Sequence, residues 1–166
     1  MLDAPAVELQ RKFESFAQDR FYGVPSANFA LAGREQLSYL LNAGLRADSK
    51  VLDIGCGVLR AGYWIIHFLN RSCYCGIEPH KERLEFGIRH ILEPQTLTAK
   101  APRFHANPDF DTSVFGEKFD YFLAYSIWTH ACKRQIQAML DGFARDSHAH
   151  AAFLLTYLPS GWRHAD

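Results

Sequence analysis

One stretch of the chain decides its fold: Val51-Leu52-Asp53-Ile54-Gly55-Cys56-Gly57-Val58-Leu59-Arg60. Apolar residues around a single carboxylate, Asp53, are typical of a buried parallel strand. Gly55 and Gly57 then predict a tight turn, and Leu59 begins a pattern typical of a helix. A strand, a glycine turn and a helix in this order let the backbone approach a nucleotide-like ligand closely.

The size and composition of the chain indicate a single globular domain. At 166 residues, 48% of them hydrophobic, the chain is long enough to bury roughly 70% of its unfolded surface. We therefore expect one domain over residues 1–166, with N-terminal helices in 1–45 and a cofactor-binding α/β core in 46–158.

The charge balance gives no sign of a nucleic-acid or membrane partner. Lysines plus arginines number 18, as do aspartates plus glutamates, so no net charge attracts an acidic partner. No apolar run approaches the ~20 residues that span a membrane, and acidic residues near the N-terminus are unlike a signal peptide. We expect a cytoplasmic protein.

The spacing of cysteines and histidines does not favour a metal site. Cys73 and Cys75 alternate with Tyr74 on a predicted strand, and this C-x-C spacing is shorter than that of a C-x-x-C metal-binding site. The eight histidines show no H-E-x-x-H spacing. We predict no metal, and reduced cysteines in the core at Cys56, Cys73, Cys75 and Cys132.

Two helices are predicted before the glycine turn. The first ends where the segment Phe21 to Pro25 breaks the helical pattern. The second runs from about Arg34 to Ala43, and Gly44 stands where a helix-terminating glycine belongs. The residues expected to face inward are Leu9, Phe13, Phe16 and Ala17 in the first helix and Leu37, Leu40 and Leu41 in the second.

From Lys50 onward, predicted strands and helices alternate. The strands are predicted at 51–54, 72–78, about 103–105, 119–125 and about 151–157. The helices are predicted at about 59–69, from Pro79 to a position before Pro94, and around Ile136 to Phe143. This alternation predicts a doubly wound parallel Rossmann-like sheet, with helices on both faces and a ligand at the carboxyl ends of the strands.

Two classes of ligand use this architecture. A dinucleotide site needs G-x-G-x-x-G, but Arg60 stands where the third glycine belongs, so a nicotinamide-dependent oxidoreductase is disfavoured. A ligand without phosphates needs only Gly55 and Gly57 for close approach, and neighbouring charges suit an amino-acid-like group. S-adenosylmethionine fits that description.

Three blocks occur in order along the chain: Leu52 to Gly57, Gly76 to Pro79, and Phe119 to His130. In these blocks the chain resembles the class I S-adenosylmethionine-dependent methyltransferase family, over roughly residues 34–158. Leu59 stands where the family usually has a third glycine. The resemblance implies that S-adenosylmethionine is the methyl donor and that the chain is an enzyme that transfers the methyl group to an acceptor.

The resemblance also implies how the donor is held. Glu78 and the adjoining Pro79 end the second predicted strand, where a carboxylate accepts hydrogen bonds from both ribose hydroxyls. Asp53 meets the ammonium group directly or through water. The methionyl carboxylate lies near the amides of the turn from Gly55, Cys56 and Gly57 to Val58 and the following helix N-terminus. Arg60 or Arg34 adds a charge-assisted bond, with a solvated surface charge as the alternative for each arginine. Purely structural roles remain the alternatives, backbone capping for Asp53 and a solvated strand-end acid for Glu78.

The adenine and acceptor sides follow from the same resemblance. Asp109 and Phe110, after the third strand, are expected to hold adenine. Tyr125 and Ser126 end the fourth strand and face the sulfonium and the acceptor. His130 is the candidate general base if the acceptor loses a proton, with a structural histidine as the alternative. Trp128 lines the acceptor pocket or belongs to the core.

The acceptor is expected to be a small molecule. The family's N/D-P-P-Y or F sequence is absent after the fourth predicted strand, which disfavours a nucleic-acid base or a glutamine as acceptor. A methyltransferase-like cofactor-binding or scaffold module without catalysis of its own is the alternative.

The end of the chain bears on possible partners. Leu158 to Asp166 are too few to supply the C-terminal strands of the usual methyltransferase sheet, so we expect those strands to be missing and the fifth strand to have an exposed edge. A second copy or another chain would cover that edge, unless the chain is a fragment.

Overall fold

A five-stranded parallel sheet crosses the computed structural model, which describes residues 3–17 and 27–157. The strand order is β3-β2-β1-β4-β5, and every neighbouring pair is parallel. The strands are β1 Val51–Ile54, β2 Tyr74–Glu78, β3 Arg103–Ala106, β4 Phe119–Ala124 and β5 Ser147–Leu155. The predicted doubly wound sheet is confirmed, with the chain reversing its direction of travel between β1 and β4.

The helices pack on both faces of this sheet. They are α1 Ala4–Ala17, α2 Phe29–Asn42, α3 Arg60–Phe68, α4 Lys81–Phe86, which continues as a π-helix over Gly87–Ile91, α5 Pro94–Lys100 and α6 Lys133–Asp146. A 3₁₀ turn spans Thr112–Phe115. Of these, α5 was not predicted, because Pro94 begins a new helix rather than only ending the previous one.

Two apolar layers fill the space between the sheet and its helices. On one face, the stacked rings of Phe13 and Phe29, with centroids 3.9 Å apart, join α1 and α2 to the layer that contains Ile65 of α3. On the other face, Leu52 and Met139 belong to the layer beneath α6. All four residues of β1 are buried, as expected for a strand covered on both sides.

The structure corrects several sequence-based boundaries and faces. Helix α2 begins at Phe29 rather than near Arg34. Its buried face carries Phe29, Gly33, Gln36 and Leu40, and Leu41 lies outside this face and is 42% exposed. Phe16 is likewise exposed on α1. Strand β5 begins at Ser147, before the expected start near 151, because the polar start of this edge strand gives no apolar signal. The predicted break at 21–25 lies outside the described residues.

The cysteines and the sheet edge can be compared with their predictions. All four cysteines are free; Cys56, Cys73 and Cys75 are buried, but Cys132 is exposed at the start of α6, so its assignment to the core was wrong.

In the described region β5 lies at the edge of the sheet, and its association with another chain stays a prediction. No helix within residues 3–17 and 27–157 is long and apolar enough to cross a membrane.

Leu59 combines backbone strain with complete burial. Its φ of 63° and ψ of 36° lie in the left-handed region, which is unfavourable for a residue with a side chain. Its side chain packs where Gly62 and Gly87 leave room: a Cβ at Gly62 would lie 3.1 Å from Leu59 Cδ2, and one at Gly87 would lie 2.9 Å from Leu59 Cγ. Burial of the leucine therefore offsets the strain at this position.

Replacing Leu59 separates these two effects. We expect Leu59→Ala to lower the free energy of unfolding by about 2–5 kcal/mol, because it leaves a cavity and keeps the strained backbone. Leu59→Gly should be about 1 kcal/mol more stable than Leu59→Ala, because glycine adopts this backbone without a Cβ clash. Urea unfolding measures both variants, and an alanine variant as stable as the glycine variant would contradict this explanation.

Candidate active site

A cavity of about 510 Å³ opens at the carboxyl ends of β1, β2 and β4, beside the point where the sheet changes direction. Its walls come from the glycine turn after β1, the end of β2, the segment after β4 and the helices α2 and α3. Among its lining residues are Gln36, Asp53, Gly55, Cys56, Gly57, Arg60, Glu78, Pro79, Phe110, Tyr125, Ser126 and His130.

Glu78 is a buried carboxylate held by backbone amides. It is only 3% exposed, and its Oε2 accepts a hydrogen bond from the Gly57 amide at 2.9 Å. Its Oε1 accepts another from the His80 amide at 2.9 Å. A carboxylate has about four lone-pair directions, so two remain after these bonds. Glu78 therefore ties the glycine turn to the end of β2 and keeps capacity for further donors at the cavity.

Asp53 is a second buried carboxylate, one residue before the carboxyl end of β1. It is 4% exposed, and its Oδ2 accepts a hydrogen bond from the Tyr74 hydroxyl at 2.7 Å. Burial raises the pKa of Asp53 to about 7, the Tyr74 bond opposes that rise, the negative charge of Glu78 adds to it, and Arg60 opposes it. Asp53 thus changes charge near neutral pH.

The amides of the glycine turn are largely taken up within the protein. Gly55 and Cys56 both donate to the Ile77 carbonyl, at 2.7 and 3.0 Å, and Gly57 donates to Glu78. The sequence placed a methionyl carboxylate near these amides, whereas the structure gives three of them internal acceptors. Gly55 has φ +75°, a backbone conformation that is strained for a residue with a side chain, and a Cβ there would meet the Ile127 side chain.

The two candidate arginines lie in different places. Arg60 is the first residue of α3 and lines the cavity, with its guanidinium carbon 6.0 Å from the centroid of the Tyr125 ring. Burial lowers the pKa of Arg60, while Tyr125 and Asp53 raise it. Arg34 instead pairs with Asp3 and does not line the cavity. In the described part of the chain, no carboxylate forms an ion pair with Arg60.

The segment after β3 presents an apolar ring to the cavity. Phe110 is buried and lines the cavity, and its φ of 56° is unusual for a side chain of this size. Asn107 fixes this turn: its Nδ2 donates to the Asp111 carbonyl and its Oδ1 accepts from the Asp109 amide, both at 3.0 Å. Asp109 is exposed and is not among the residues that line the cavity.

The segment after β4 brings Tyr125, Ser126 and His130 to the cavity. Ser126 has φ +61°, and its amide donates to Thr156 Oγ1 at 2.6 Å, which fixes this segment to the end of β5. Trp128 does not line the cavity; it packs edge-on against Phe153 with ring centroids 5.9 Å apart. Of the two roles considered for Trp128, the structure favours packing, because the half-buried ring lies against the apolar layer beneath α6.

Comparisons with known proteins bear on the fold. No protein-family model and no curated protein sequence matches the chain. Magnesium protoporphyrin IX methyltransferase (ChlM) from Synechocystis PCC 6803 with bound SAM is similar in structure, with a TM-score of 0.62 at 18% identity over 96% of this chain and 78% of that one. The plantazolicin methyltransferase BpumL, in complex with a substrate analog and SAH, gives 0.57 at 16% identity over 91% and 60%.

A third structure, PKMT2 from Rickettsia typhi in complex with AdoHcy, gives a TM-score of 0.53 at 20% identity. That match covers 66% of this chain but only 20% of PKMT2, so the chain spans a fifth of the length of that relative. The chain has the class I S-adenosylmethionine-dependent methyltransferase fold. In this fold the cavity occupies the ligand position of doubly wound sheets, outside the carboxyl ends of the strands.

Two polar residues that help to build the site within this methyltransferase fold were not found from the sequence. Gln36, on the inward face of α2, is 4% exposed and lines the cavity, with its Nε2 bonded to the Ala32 carbonyl at 3.1 Å. Tyr74 supports Asp53 from within β2. A polar group on an otherwise apolar helix face or strand was the available signal for each. Among the described residues, no group of three or more histidines, cysteines or acids is placed to hold a metal.

The proton equilibrium of Asp53 predicts a pH-dependent stability. The unfolded carboxyl has its ordinary pKa of 3.8 and the folded one about 7, so between these values the folded state retains a proton that the unfolded state has lost. The contribution of Asp53 to the free energy of unfolding therefore falls as pH rises from about 4 to about 7 and is constant above that range.

Asp53→Asn removes this titration. We expect the free energy of unfolding of the variant, minus that of the unmodified protein, to increase as pH rises from about 5 to about 7.5. Urea unfolding at each pH measures this difference. A difference between the two proteins that stays constant over that range would show that Asp53 does not titrate there.

Proposed function

We propose that this protein binds S-adenosylmethionine in the cavity and transfers its methyl group to a small-molecule acceptor, with residues 46–158 as the cofactor-binding core of a single domain. The observation that carries the proposal is the pair of buried carboxylates, Asp53 and Glu78, at the ends of neighbouring strands in a methyltransferase fold. Buried carboxylates are costly unless they are paired, and a ligand with several donors would use their remaining acceptor capacity.

Glu78 suits a ribose. Its two oxygens are fixed by the Gly57 and His80 amides, so the lone pairs that remain point in defined directions. Two adjacent hydroxyls that donate to these oxygens would form charge-assisted hydrogen bonds in a buried setting, which are stronger than bonds between neutral groups. Because the amide bonds hold Glu78 in place, little side-chain entropy would be lost on binding.

Asp53 and Arg60 suit the amino-acid end of the donor. Asp53, before the glycine turn, presents a carboxylate for an ammonium group, and Arg60, after the turn, presents a guanidinium for a carboxylate. Because the Gly55, Cys56 and Gly57 amides are already bonded within the protein, the donor's carboxylate would rely on Arg60 and on the amides of Val58 and the first turn of α3.

The remaining walls suit the adenine ring and the reacting methyl group. Phe110 and Pro79 provide apolar contacts beside Glu78, and Asp109 stays a predicted adenine contact outside the cavity lining. Tyr125 and Ser126 lie on the β4 side, where the sulfonium and the acceptor would meet. The role of these residues is to hold both partners in line and to exclude water.

The bound donor supplies a methyl group on a positively charged sulfur. A lone pair of the acceptor forms a bond to the methyl carbon as the carbon–sulfur bond breaks. The electron pair of the broken bond stays on sulfur, which leaves S-adenosylhomocysteine. Where the acceptor atom carries a hydrogen, His130 on the cavity wall receives that proton. Two of the similar structures carry acceptors in their names, magnesium protoporphyrin IX and plantazolicin, and the neutral charge of this chain also fits a small acceptor.

Calorimetry with S-adenosylmethionine and S-adenosylhomocysteine tests the donor site. We expect the unmodified protein to bind both, and Glu78→Gln to weaken both by at least tenfold, because the amide loses the charge and part of the acceptor capacity. Glu82→Gln, which changes an exposed glutamate of α4, is the matched control and should bind normally. Unmodified protein that binds neither ligand would refute the proposed function.

Transfer of a labelled methyl group into the small-molecule fraction of a cell extract tests catalysis. We expect label to appear with the unmodified protein and His130→Gln to slow its appearance by about 100-fold or more, without a change in donor affinity. His148→Gln, on the exposed start of β5, is the control.

Two results of the transfer assay would change the interpretation. Equal rates of methyl transfer by the unmodified protein and by His130→Gln would contradict a catalytic role for His130. Donor binding without any transfer would favour a cofactor-binding module that does not catalyse.

A further inference from the structure

A buried hydroxyl lies beneath the cavity and takes no part in the proposed contacts with the donor. It belongs to Tyr74, the first residue of β2, which is buried and does not line the cavity. In the register of β1 and β2, Tyr74 lies opposite Val51, and Gly76 lies opposite Asp53. Tyr74 is therefore on the same face of the sheet as Asp53, two residues nearer the amino ends of the strands. Its hydroxyl reaches across this distance and donates to Asp53 Oδ2 at 2.7 Å.

Two glycines make this arrangement possible. A Cβ at Gly76 would lie 3.2 Å from Tyr74 Cε1, so the ring lies along the strand over a position without a side chain. A Cβ at Gly62 of α3 would lie 2.7 Å from the Tyr74 hydroxyl oxygen. A side chain at either position would move the ring or the hydroxyl. The absence of side chains at Gly62 and Gly76 therefore leaves the space in which the Tyr74 hydroxyl reaches Asp53.

Tyr74 is the principal support of the Asp53 charge. The titratable groups that act on Asp53 are Tyr74 and Glu78 from β2, Arg60 from α3 and Cys56 from the glycine turn. Among the described residues, Tyr74 alone donates a hydrogen bond to the Asp53 side chain. Burial raises the pKa of Tyr74 well above its ordinary value, so the phenol stays a donor over the whole range in which Asp53 titrates.

We infer that Tyr74 is a positioning residue, which stabilises the ionised form of Asp53 and orients it, so that the cavity accepts a cationic amino group near neutral pH. The inference rests on the proposed function, because it assigns the amino group to the methionyl end of the donor. One oxygen of Asp53 is bonded to Tyr74, and no side chain or amide in residues 3–17 and 27–157 donates to the other, which would accept from the ligand in the cavity. Loss of the phenol would therefore shift ligand binding to higher pH rather than remove the cavity.

Calorimetric titrations from about pH 6 to about pH 8.5 test the inference with two ligands, S-adenosylhomocysteine and 5′-methylthioadenosine, which lacks the amino-acid group. We expect Tyr74→Phe to bind S-adenosylhomocysteine about tenfold more weakly than the unmodified protein near pH 7, with the ratio narrowing as pH rises. Binding of 5′-methylthioadenosine should be unchanged. Because both proteins bind the same ligand at each pH, the ratio of their dissociation constants is independent of the titration of the ligand itself.

Two further variants separate this role from a structural one. Tyr63→Phe removes a hydroxyl from a half-buried tyrosine of α3 that does not line the cavity, and it should leave both affinities unchanged. In an Asp53→Asn background, Tyr74→Phe should have little further effect on binding. Equal loss for both ligands, a ratio independent of pH, or the same loss in the Asp53→Asn background would each overturn the inference.

A measurement without ligand keeps this inference distinct from the proposed function. The carbon-13 resonance of the Asp53 carboxyl group reports its titration, and we expect Tyr74→Phe to move the midpoint to higher pH. An unchanged midpoint would overturn the role of Tyr74 even if the donor binds. Failure of the unmodified protein to bind either ligand would instead refute the proposed function.

Discussion

Burial of two carboxylates at the ends of neighbouring parallel strands is the constraint on which the site depends. A buried charge without partners is strongly unfavourable, so the surrounding backbone must supply donors. Glu78 receives them from the Gly57 and His80 amides, and this fixes the glycine turn against the start of α4. Among the described residues, Asp53 receives a side-chain hydrogen bond from Tyr74 alone, and its protonation is close to balance at neutral pH.

Three of the six described non-glycine residues with positive φ lie in segments that follow strands of the sheet. Leu59 follows β1, Phe110 follows β3 and Ser126 follows β4. Such conformations persist only where the surroundings hold them: Leu59 by complete burial, Phe110 by the Asn107 turn, and Ser126 by its bond to Thr156. Rigid segments of this kind suit a site that must hold two reacting groups in line.

The sequence predicted most of the framework because its signals are local. The buried run of β1, the glycines after it and the acid that ends β2 define the fold and the cavity from short stretches. Helix α5 was missed because a proline both ends one helix and begins another. The start of β5 was missed because an exposed edge strand needs no apolar alternation.

The details of the site depend on contacts that are distant in the sequence. Turn amides predicted to face a ligand donate to Ile77 and Glu78, which depends on strand register. The same is true of Tyr74, which reaches Asp53 only because glycines from β2 and α3 leave it space. Of the two arginines, Arg60 lies at the cavity because it begins α3, whereas Arg34 lies on α2 beside Asp3.

The most direct test of the central claim is a crystal structure of the protein with S-adenosylhomocysteine. The proposed site predicts the nucleoside in the cavity, with both ribose hydroxyls within about 3.2 Å of the Glu78 carboxylate while its bonds to Gly57 and His80 persist. A ligand bound elsewhere, or a ribose that makes no contact with Glu78, would contradict it.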